Sequence, residues 1–462
     1  MGQNFSVVNK SSGVNKSFGA QIFAVVILLC PLLSVRSSLA QIDLRITPTE
    51  SEFTLASPVL CGSEQVSAYS KELARLIAAD LSITGLYRVL GPKELPEPLG
   101  SCLEANGGSF PRDLPEKKIN QFVTGQVRSV DGKAGILVLD LFLRDVASAT
   151  DVLGKRYQVS PEEIPAAAHA FANEILGLLT GKPGGFGGQV VYSSDADGQG
   201  REIFAMVLGS TERRQLTKDN AQAASPSWSP DGRSVAYSVS SKAGQSDVHL
   251  VPSIGGKSTK ITFLAGEETR PSFGSDGKQL LVTARVSGKQ SITLFNLRGR
   301  LLEKLSESSA DNFDATWSSD YQQVVFVSNR SGESLIYVMK ADGSRVREIG
   351  KLAGKTCFRP AWSPVESRVV VACSSPESNS QLYLVDLGTG EFNQVTFQGD
   401  NLEPAWSPDG RMIVFSTREN KTSPADLAVF SLSNLKVTMV AKTPQDDREP
   451  SWSYKALELP ES

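Results

Sequence analysis

A short pattern of hydrophobic and polar positions recurs six times in the second half of the chain. Its first copy reads Pro226-Ser227-Trp228-Ser229-Pro230-Asp231-Gly232, and the aromatic residue returns at positions 273, 317, 362, 406 and 452, at intervals of 44 to 46 residues. All five tryptophans of the chain stand at these positions, and Phe273 occupies the remaining one. Such regular spacing indicates one structural unit per repeat.

Stretches of alternating and β-branched residues follow each aromatic position. In the first repeat they are Val235–Val239, Val248–Pro252 and Lys260–Phe263. Together with the segment that carries the aromatic residue, they give four strands per unit, which is typical of a β-propeller blade. The Ser-Pro-Asp-Gly sequence favours a type I turn, and the aromatic residue is expected to pack between blades.

The two ends of the repeat region complement each other. The first set of strands begins at Gln189 without an aromatic anchor, whereas the last anchor, Trp452, is followed by only ten residues. Both deficits disappear if the strand around Trp452 completes the blade that begins at Gln189. The sequence therefore predicts a six-bladed β-propeller over residues 189–462, closed by the C-terminal strand so that no sheet edge stays open.

Residues 41–180 predict a separate N-terminal α/β (α+β) domain, so the fold class is multidomain. Apolar periodicity predicts strands at Ile42–Ile46, Phe122–Val127, Ile136–Leu143 and Tyr157–Val159, and helices over 66–82 and 165–180. The buried stripe of the second helix is expected to be Ala168, Phe171, Ile175 and Leu178. Residues 181–188 contain five glycines and predict a flexible linker.

The first forty residues have the order of a secretory signal peptide. Lys10 and Lys16 precede an apolar run from Ile22 to Leu33, and Ala40 ends a small-residue cleavage site. The mature chain should therefore begin near Gln41 in an oxidising compartment.

The cysteines fit such a compartment, because four remain after removal of the signal peptide. Cys357 and Cys373 are equally distant from Val365, at the centre of a predicted hairpin turn, so they should face each other and form a disulfide. A second disulfide, Cys61–Cys102, is expected without such a register argument. The alternative for both pairs is that the thiols are small buried hydrophobic groups.

Composition argues against several kinds of chemistry. The net charge of −3 gives no general attraction to nucleic acid. Only two histidines, His169 and His249, are present, and no Gly-x-Ser-x-Gly motif of a hydrolase occurs. We expect both histidines to be structural or to face a partner, and we expect no enzymatic activity.

Taken together, these segments resemble the TolB family, the periplasmic component of the Tol–Pal system of Gram-negative bacteria. The resemblance covers nearly the whole mature chain and is carried by Ile77–Leu81, Thr124–Val127, the helix with His169 and the Trp-Ser-Pro-Asp-Gly repeats. The chain departs from the pattern in two degraded repeats, at 317–321 and 362–366, and in its cysteine pairs.

The resemblance implies a monomeric, periplasmic protein-interaction scaffold that supports outer-membrane integrity and cell division. It would be soluble and would associate with membranes only through its partners. The propeller would bind a Pal-like peptidoglycan-associated lipoprotein, and the N-terminal segment a TolA-like inner-membrane protein. No cofactor is implied, although a channel metal ion is left open. The TolA-facing residues would be Gln41, Ile42, Asp43, Leu44, Arg45 and Ile46.

Loop geometry indicates where a partner would bind the propeller. Residues three positions before each aromatic anchor should form a ring at one end of the channel, namely Ser225, Arg270, Asp314, Arg359, Glu403 and Glu449. Nearby positions add Glu268, Asn312, Asn401 and Asp447. Such a mixed-charge rim suits a polar protein interface, and the alternative is that its charges are merely solvated.

Two other functions stay open at this point. The propeller could belong to an enzyme, either related to peptidases or a polysaccharide lyase. It could also bind a small ligand in the periplasm without a protein partner.

Overall fold

The computed structural model describes residues 53–95, 118–130, 135–195, 198, 200–208, 212–241, 244–264, 266–286, 288–306 and 309–456. The expected signal peptide, the TolA-facing segment 41–46 and Cys102 lie outside these ranges. The Cys61–Cys102 pairing therefore stays a prediction.

The N-terminal domain consists of one mixed sheet and two helices. Helices α1 and α2 span Ser67–Ile83 and Ile164–Thr180, which confirms both predicted helices. The strands are β1 Phe53–Ala56, β2 Cys61–Gly62, β3 Tyr87–Leu90, β4 Gln121–Ser129, β5 Leu137–Asp145 and β6 Thr150–Val159. The sheet order is β3-β1-β4-β5-β6, with β2 also paired to β4.

One residue of the predicted stripe in α2 is not buried. Phe171 and Ile175 are fully buried, whereas Leu178 is 56% exposed. Leu178 has nearly the same angular position on the helix as Phe171, so the predicted face is correct. The expectation for Leu178 is wrong because it lies in the last turn of α2, which the core does not cover at this position.

The remainder of the chain forms six four-stranded antiparallel sheets. Blade 1 contains β10 Gln222–Trp228, β11 Ser234–Ser240, β12 Ser246–Pro252 and β13 Thr259–Lys260. Blade 2 contains β14 Glu268–Phe273, β15 Gln279–Val286, β16 Lys289–Asn296 and β17 Leu301–Lys304. Blade 3 contains β18 Asn312–Trp317, β19 Gln323–Ser328, β20 Leu335–Lys340 and β21 Arg347–Gly350.

The remaining blades follow the same plan. Blade 4 contains β22 Thr356–Trp362, β23 Arg368–Ser374, β24 Gln381–Asp386 and β25 Phe392–Gln394. Blade 5 contains β26 Asp400–Trp406, β27 Met412–Arg418, β28 Asp426–Ser431 and β29 Val437–Ala441. Blade 6 contains β7 Gly188–Ser194, β8 Glu202–Val207, β9 Arg213–Gln215 and, as its inner strand, β30 Arg448–Ala456.

Blade 6 closes the ring with strands from both ends of the propeller. Strand β30 pairs antiparallel with β7, and Trp452 lies opposite Val190. This confirms the predicted six-bladed architecture and its closure by the C-terminal strand. The two strands cover each other's edge, so that blade 6 is as complete as the other five.

The aromatic anchors pack between neighbouring blades, as predicted. Trp406 of blade 5 lies in a buried cluster with Val370 and Leu382 of blade 4. Its indole Nε1–H also donates to the carbonyl of Ala361, 2.9 Å away in the preceding blade. Each anchor thus belongs to two blades at once, which makes its burial depend on ring closure.

In blades 1, 3 and 5, the serine that follows the anchor organises the next turn. In blade 1, the Ser229 hydroxyl donates to Asp231 (2.6 Å) and accepts the N–H of Ser234 (3.0 Å). Gly232 adopts a φ of 67° and its N–H donates to the Ser229 carbonyl. Glycine is favoured here because that conformation is costly for other residues. The degraded turn of blade 3 has Tyr321 at this position, with a φ of 57° and the equivalent bond to Ser318.

The glycine-rich segment at 181–188 is packed rather than open. Phe186 is buried, and both its N–H and its carbonyl bond to the Asn173 side chain at 2.9 Å. Arg411 of blade 5 donates to the Lys182 carbonyl. One hydrophobic cluster runs from both helices through Phe186 to blades 5 and 6. These contacts differ from the flexible linker that the glycine content indicated, although the domain boundaries themselves stay a prediction.

The structure also contains the disulfide that the hairpin symmetry predicted. Cys357 and Cys373 are directly paired across β22 and β23 and are joined by a disulfide. Within the residues described, no helix combines the length and apolar character needed to cross a bilayer.

We expect replacement of Trp452 by alanine to destabilise the closed ring strongly. Its side chain is buried where the first and last strands of the propeller meet, so the variant should lose ~3–5 kcal/mol of unfolding free energy in urea denaturation. Trp452→Phe is the matched control, because blade 2 uses Phe273 at the same position, and it should lose less than half as much. Equal losses in the two variants would contradict the proposed role of this anchor.

Candidate binding site in the propeller channel

Each inner strand of the propeller contains a bulge at the same place. In every blade, the pairing register between the inner strand and its neighbour shifts within a short stretch of the inner strand. The stretch begins four residues before the anchor and ends one residue before it, as from Ala224 to Ser227 in blade 1. The residue three positions before the anchor has a φ of 51–57° in all six blades. In five of the six blades it precedes a proline, which disfavours helical conformations for the preceding residue. Strained backbone of this kind often marks functional sites.

The six bulged residues meet in the middle of the channel. Ser225, Arg270, Asp314, Arg359, Glu403 and Glu449 all line one cavity of about 170 Å³. We call this set the channel ring. The sequence correctly grouped these residues but placed them at an exposed rim. They lie halfway along the inner strands, because the bulge rather than the preceding loop turns their side chains inward.

Ion pairs within the channel ring connect blades around and across the channel. Arg270 Nε lies 2.7 Å from Asp314 Oδ1, in the neighbouring blade. Arg359 Nη2 lies 2.6 Å from Glu449 Oε1 and 3.5 Å from Glu403 Oε1. The Arg359 guanidinium also reaches the hydroxyl of Ser225 (3.5 Å) in the opposite blade. Arg359 therefore spans the channel, and the ring forms a plug.

The acidic members of the channel ring also stabilise the bulges. Asp314 accepts the backbone N–H of Arg359 at 3.0 Å, Glu403 that of Glu449 at 2.9 Å, and Glu449 that of Ser225 at 2.6 Å. In each case the donor is a backbone N–H of the next blade that the bulge displaces from the hydrogen bonds of its own sheet. The carboxylate accepts this N–H instead. The ring thus links blades through side chains as well as through their hydrophobic faces.

Burial and local charge shift the acidity of these carboxyls in different directions. Burial and the neighbouring Glu449 raise the pKa of Glu403. Burial also opposes ionisation of Glu449, but Arg359 and the donors of Ser225 outweigh it and hold its pKa below the usual range. Burial raises the pKa of Asp314 to about 7, against the Arg359 N–H bond. The charge of the plug therefore depends on pH.

The four additional rim candidates are buried. Asn312 binds Arg330 (2.8 Å), Asn401 binds Gln381 (3.0 Å), and Asp447 accepts from Thr443 (2.9 Å). The exposed position expected for these three residues and for Glu268 is wrong, since all four are at most 2% exposed. They lie on the far side of each bulge, five positions before the anchor, where the side chain points between blades.

A groove beside the plug contains residues that the sequence analysis missed. Thr269, Phe313 and Phe358 each precede a channel-ring residue and are half-buried, and together with Cys357 they line a cavity of about 360 Å³. We call these three residues the entrance groove. The pattern that could have identified them is simple, because each stands directly before a bulged residue.

Comparison with known proteins places this geometry in a family. The TolB beta propeller domain model matches residues 182–287 and 264–456, which together make up more than half of the chain. The chain belongs to the TolB beta propeller family.

Named relatives of the whole TolB protein agree with this assignment. A "Protein TolB homolog" of Chlorobium luteolum is 27% identical over 300 residues, covering 63% of this chain and 65% of the relative. A "Tol-Pal system protein TolB" of Ruthia magnifica is 27% identical over 343 residues, covering 73% and 79%. The match thus spans less than two thirds of the length of the Chlorobium protein.

A solved TolB structure shares the fold. TolB from Acinetobacter baumannii superposes with a TM-score of 0.75 at 23% sequence identity, over 87% of this chain and 97% of that chain. Within the described part of this TolB-family chain, no group of three or more histidine, cysteine, aspartate or glutamate side chains is placed to hold a metal ion.

The two histidines of this TolB-family chain lie apart from the channel ring. His169 Nδ1 is 2.6 Å from Asp80 Oδ2, and both side chains are buried between α1 and α2. His249 lies against the ring of Tyr237, and burial lowers its pKa. Their surroundings support the structural role that we expected for both.

Removal of Arg359 should destabilise the TolB-family propeller in a pH-dependent way. Arg359→Met leaves Glu403 and Glu449 without their cation, so we expect a loss of ~2–4 kcal/mol in unfolding free energy near neutral pH. In wild type Arg359 holds the pKa of Glu449 below its ordinary value. Without Arg359, burial would raise the pKa of this carboxyl, as it already does for Glu403, so the variant would relieve the buried charge by taking up a proton as the pH falls. The loss should therefore shrink in urea denaturation at about pH 5.

Arg144→Met is the matched control for this prediction. It removes an ion pair whose acidic partner, Asp151, is 33% exposed at its side chain, against 11% for Glu449, and should cost less than ~1 kcal/mol. An equal loss for Arg359→Met at both pH values would contradict the role of the plug.

Replacement of Glu268 by glutamine should stabilise the propeller at alkaline pH. Glu268 is fully buried, neither carboxylate oxygen accepts a hydrogen bond within the described residues, and burial raises its pKa to about 7. Since its folded pKa exceeds the unfolded one, wild-type stability falls as the pH rises through this range. Glu268→Gln should add ~1–2 kcal/mol at about pH 8 and nothing at about pH 5.

Thermal unfolding at the two pH values measures this effect. Glu303→Gln, which replaces an exposed acid of the same blade, should change neither midpoint. If the effect of Glu268→Gln on stability did not change with pH, ionisation of the Glu268 carboxyl would not be what destabilises the wild-type fold.

Proposed function

We propose that this chain is the propeller component of a Tol–Pal envelope system and binds a Pal-like lipoprotein at the entrance groove. Membership of the TolB family supports the system, and relatives from Ruthia magnifica and Francisella tularensis carry the name Tol-Pal system protein TolB. In this function the chain is a periplasmic scaffold and not an enzyme, and it supports outer-membrane integrity and cell division through its partners.

One observation carries the choice of surface, namely the juxtaposition of the entrance groove with the ion-paired plug. Phe313 and Phe358 provide half-buried aromatic surface, which is typical of residues that dominate binding energy. Arg270 and Asp314 line both the groove and the plug. Because the plug spans the channel beside the groove, a partner would rest on it and contact aromatic and charged groups together.

The charges beside the groove would set orientation and association rate more than affinity. Arg270 is 26% exposed at its side chain, whereas its partner Asp314 is 6% exposed. A complementary charge on the lipoprotein could therefore approach the guanidinium from the entrance. Such contacts depend on ionic strength, whereas the aromatic contacts depend on it little.

The second partner would engage the other end of the mature chain. A TolA-like inner-membrane protein would bind Gln41–Ile46, which lie outside the described residues. The propeller and this segment would then link the lipoprotein to the inner membrane through one adaptor.

Truncation of the two groove phenylalanines should weaken lipoprotein binding. For the mature chain from residue 41, we expect Phe313→Ala with Phe358→Ala to reduce affinity for the soluble domain of a Pal-like lipoprotein from the same genome at least about tenfold. Isothermal titration calorimetry measures this, and circular dichroism checks that the variant is folded.

Ile254→Ser is the matched control, because Ile254 is a highly exposed apolar residue of the same propeller outside the entrance groove. It should leave the affinity unchanged. Undiminished binding by a folded Phe313/Phe358 variant would remove the entrance groove from the interface, and absence of any wild-type complex would refute the Pal-binding function.

A further inference from the structure

Blades 1, 2 and 3 carry a second surface, on the outer edge of the propeller. It comprises hairpins after the third strand of each blade and the outer strands that follow. Its exposed apolar side chains are Ile254 (78%), Phe263 (65%), Leu301 (42%), Leu302 (42%) and Val346 (40%). Its exposed cations include Lys257, Arg298, Arg300, Lys304 and Arg345. We call this set the perimeter belt.

Contacts between blades make the perimeter belt continuous. The hairpin of blade 2 approaches the outer strand of blade 1, and the hairpin of blade 3 the end of the outer strand of blade 2. A Cβ at Gly299 would lie 2.1 Å from the carbonyl oxygen of Ile261 and 3.1 Å from the ring of Phe263. Arg298 and Arg300 therefore flank Phe263. A Cβ at Gly343 would lie 2.4 Å from the Leu305 carbonyl oxygen, which brings Arg345 and Val346 of blade 3 beside blade 2.

The charge of the perimeter belt is opposite to that of the whole chain. Segments 254–264, 298–304 and 342–347 contain seven lysine and arginine residues and two acidic residues, whereas the chain as a whole has a net charge of −3. Of the seven, Lys260 is ion-paired with Asp247. In the described part of the chain, the five cations of the belt take part in none of the observed salt bridges. Exposed cations interleaved with exposed aliphatic and aromatic groups have the chemistry of interfacial membrane binding.

We propose that the perimeter belt binds the surface of an anionic phospholipid bilayer. The cations would contact lipid phosphates, while Ile254, Phe263, Leu301 and Leu302 would enter the headgroup region. This differs from the expectation that membrane association occurs only through partners, and it does not depend on Pal binding. An acidic protein segment is the other occupant with matching charge, but it would leave the dispersed apolar side chains without a common hydrophobic partner.

The position of the perimeter belt allows membrane and lipoprotein to bind together. The belt hairpins bond to the turns that follow the anchors, as in Ser253 N–H to the Arg233 carbonyl (2.8 Å) and Leu297 N–H to the Lys278 carbonyl (3.1 Å). The entrance groove lies before the anchors, at the other end of the inner strands. A chain held on a bilayer by its belt therefore keeps the groove accessible.

Vesicle cosedimentation of the mature chain tests the proposal. At about 20 mM salt, we expect binding to vesicles with about 30% phosphatidylglycerol, at least tenfold weaker binding to pure phosphatidylcholine, and strong weakening at about 0.5 M salt. Arg298→Gln with Arg300→Gln should weaken binding about tenfold or more. Ile254→Ser with Phe263→Ser should do the same through lost apolar insertion.

Two matched controls come from blades 4 and 5. Phe397 is 74% exposed and follows Thr396 as Phe263 follows Thr262, but the adjacent hairpin of blade 5 contains no arginine. Phe397→Ser should therefore leave vesicle binding unchanged, as should Lys421→Gln with Lys442→Gln, which removes two exposed cations elsewhere. Thermal unfolding should show that all variants are folded.

Several outcomes would overturn the proposal. These are absence of wild-type binding to the anionic vesicles, equal binding to neutral vesicles, or equal loss in the control variants. Capture of polyglutamate in preference to vesicles would assign the belt to an acidic protein segment instead. Calorimetry with the Pal-like domain separates this proposal from the previous one, because belt variants should retain lipoprotein binding.

Discussion

The pairing of β30 with β7 is the interaction on which the rest of the structure depends. These strands come from the two ends of the propeller, and only their pairing gives every blade a neighbour on both sides. The cost of closing so long a loop grows slowly with its length, whereas closure completes the burial of Trp452 and covers two sheet edges. Since β7 begins at Gly188, directly after the packed segment that holds Phe186, closure also fixes where the N-terminal domain packs against blades 5 and 6.

Closure also determines what the channel can contain. Six inner strands around one axis bring six bulged side chains together, so these groups must satisfy one another in a space of about 170 Å³. The repeat is sixfold, but the chemistry of the channel ring is not. An arginine in blade 4 can span the channel because a serine and not a second large cation stands in blade 1. The fold thus dictates where these side chains meet, whereas their identities are free to serve a partner.

Periodicity made the architecture predictable. The spacing of the anchors predicted the number of blades, and the incomplete first and last repeats predicted the closure. The distance of Cys357 and Cys373 from Val365 predicted their disulfide. The short strands β1, β2 and β3 escaped prediction, because two to four residues do not establish an alternation. Leu178 was assigned to the core from its angular position on α2. That position does not show where the layer packed against the helix ends.

The candidate site was predictable only in part, for a different reason. Counting back from each anchor grouped the channel ring correctly, since equivalent positions in a repeat occupy equivalent places. The depth of the ring and the burial of Glu268, Asn312, Asn401 and Asp447 depend on the bulge, which inverts the simple alternation of a strand. The sequence contains a trace of that bulge in the proline after most ring residues. Proline alone, however, does not reveal a left-handed residue before it.

The hydrogen bonds of the plug determine whether the two ends of the propeller can move relative to each other. Asp314, Glu403 and Glu449 each accept the backbone N–H of the next bulge, and the N–H of Glu449 also lies 3.0 Å from Ser416 Oγ. Movement of Asp314 or Glu449 would therefore leave a donor of another blade without its side-chain acceptor. A ring held in this way favours a rigid body over a passage that opens. A partner in the entrance groove and a surface at the perimeter belt would then be held by separate groups on one rigid frame. Such a frame transmits position and force between its two faces without needing a conformational change.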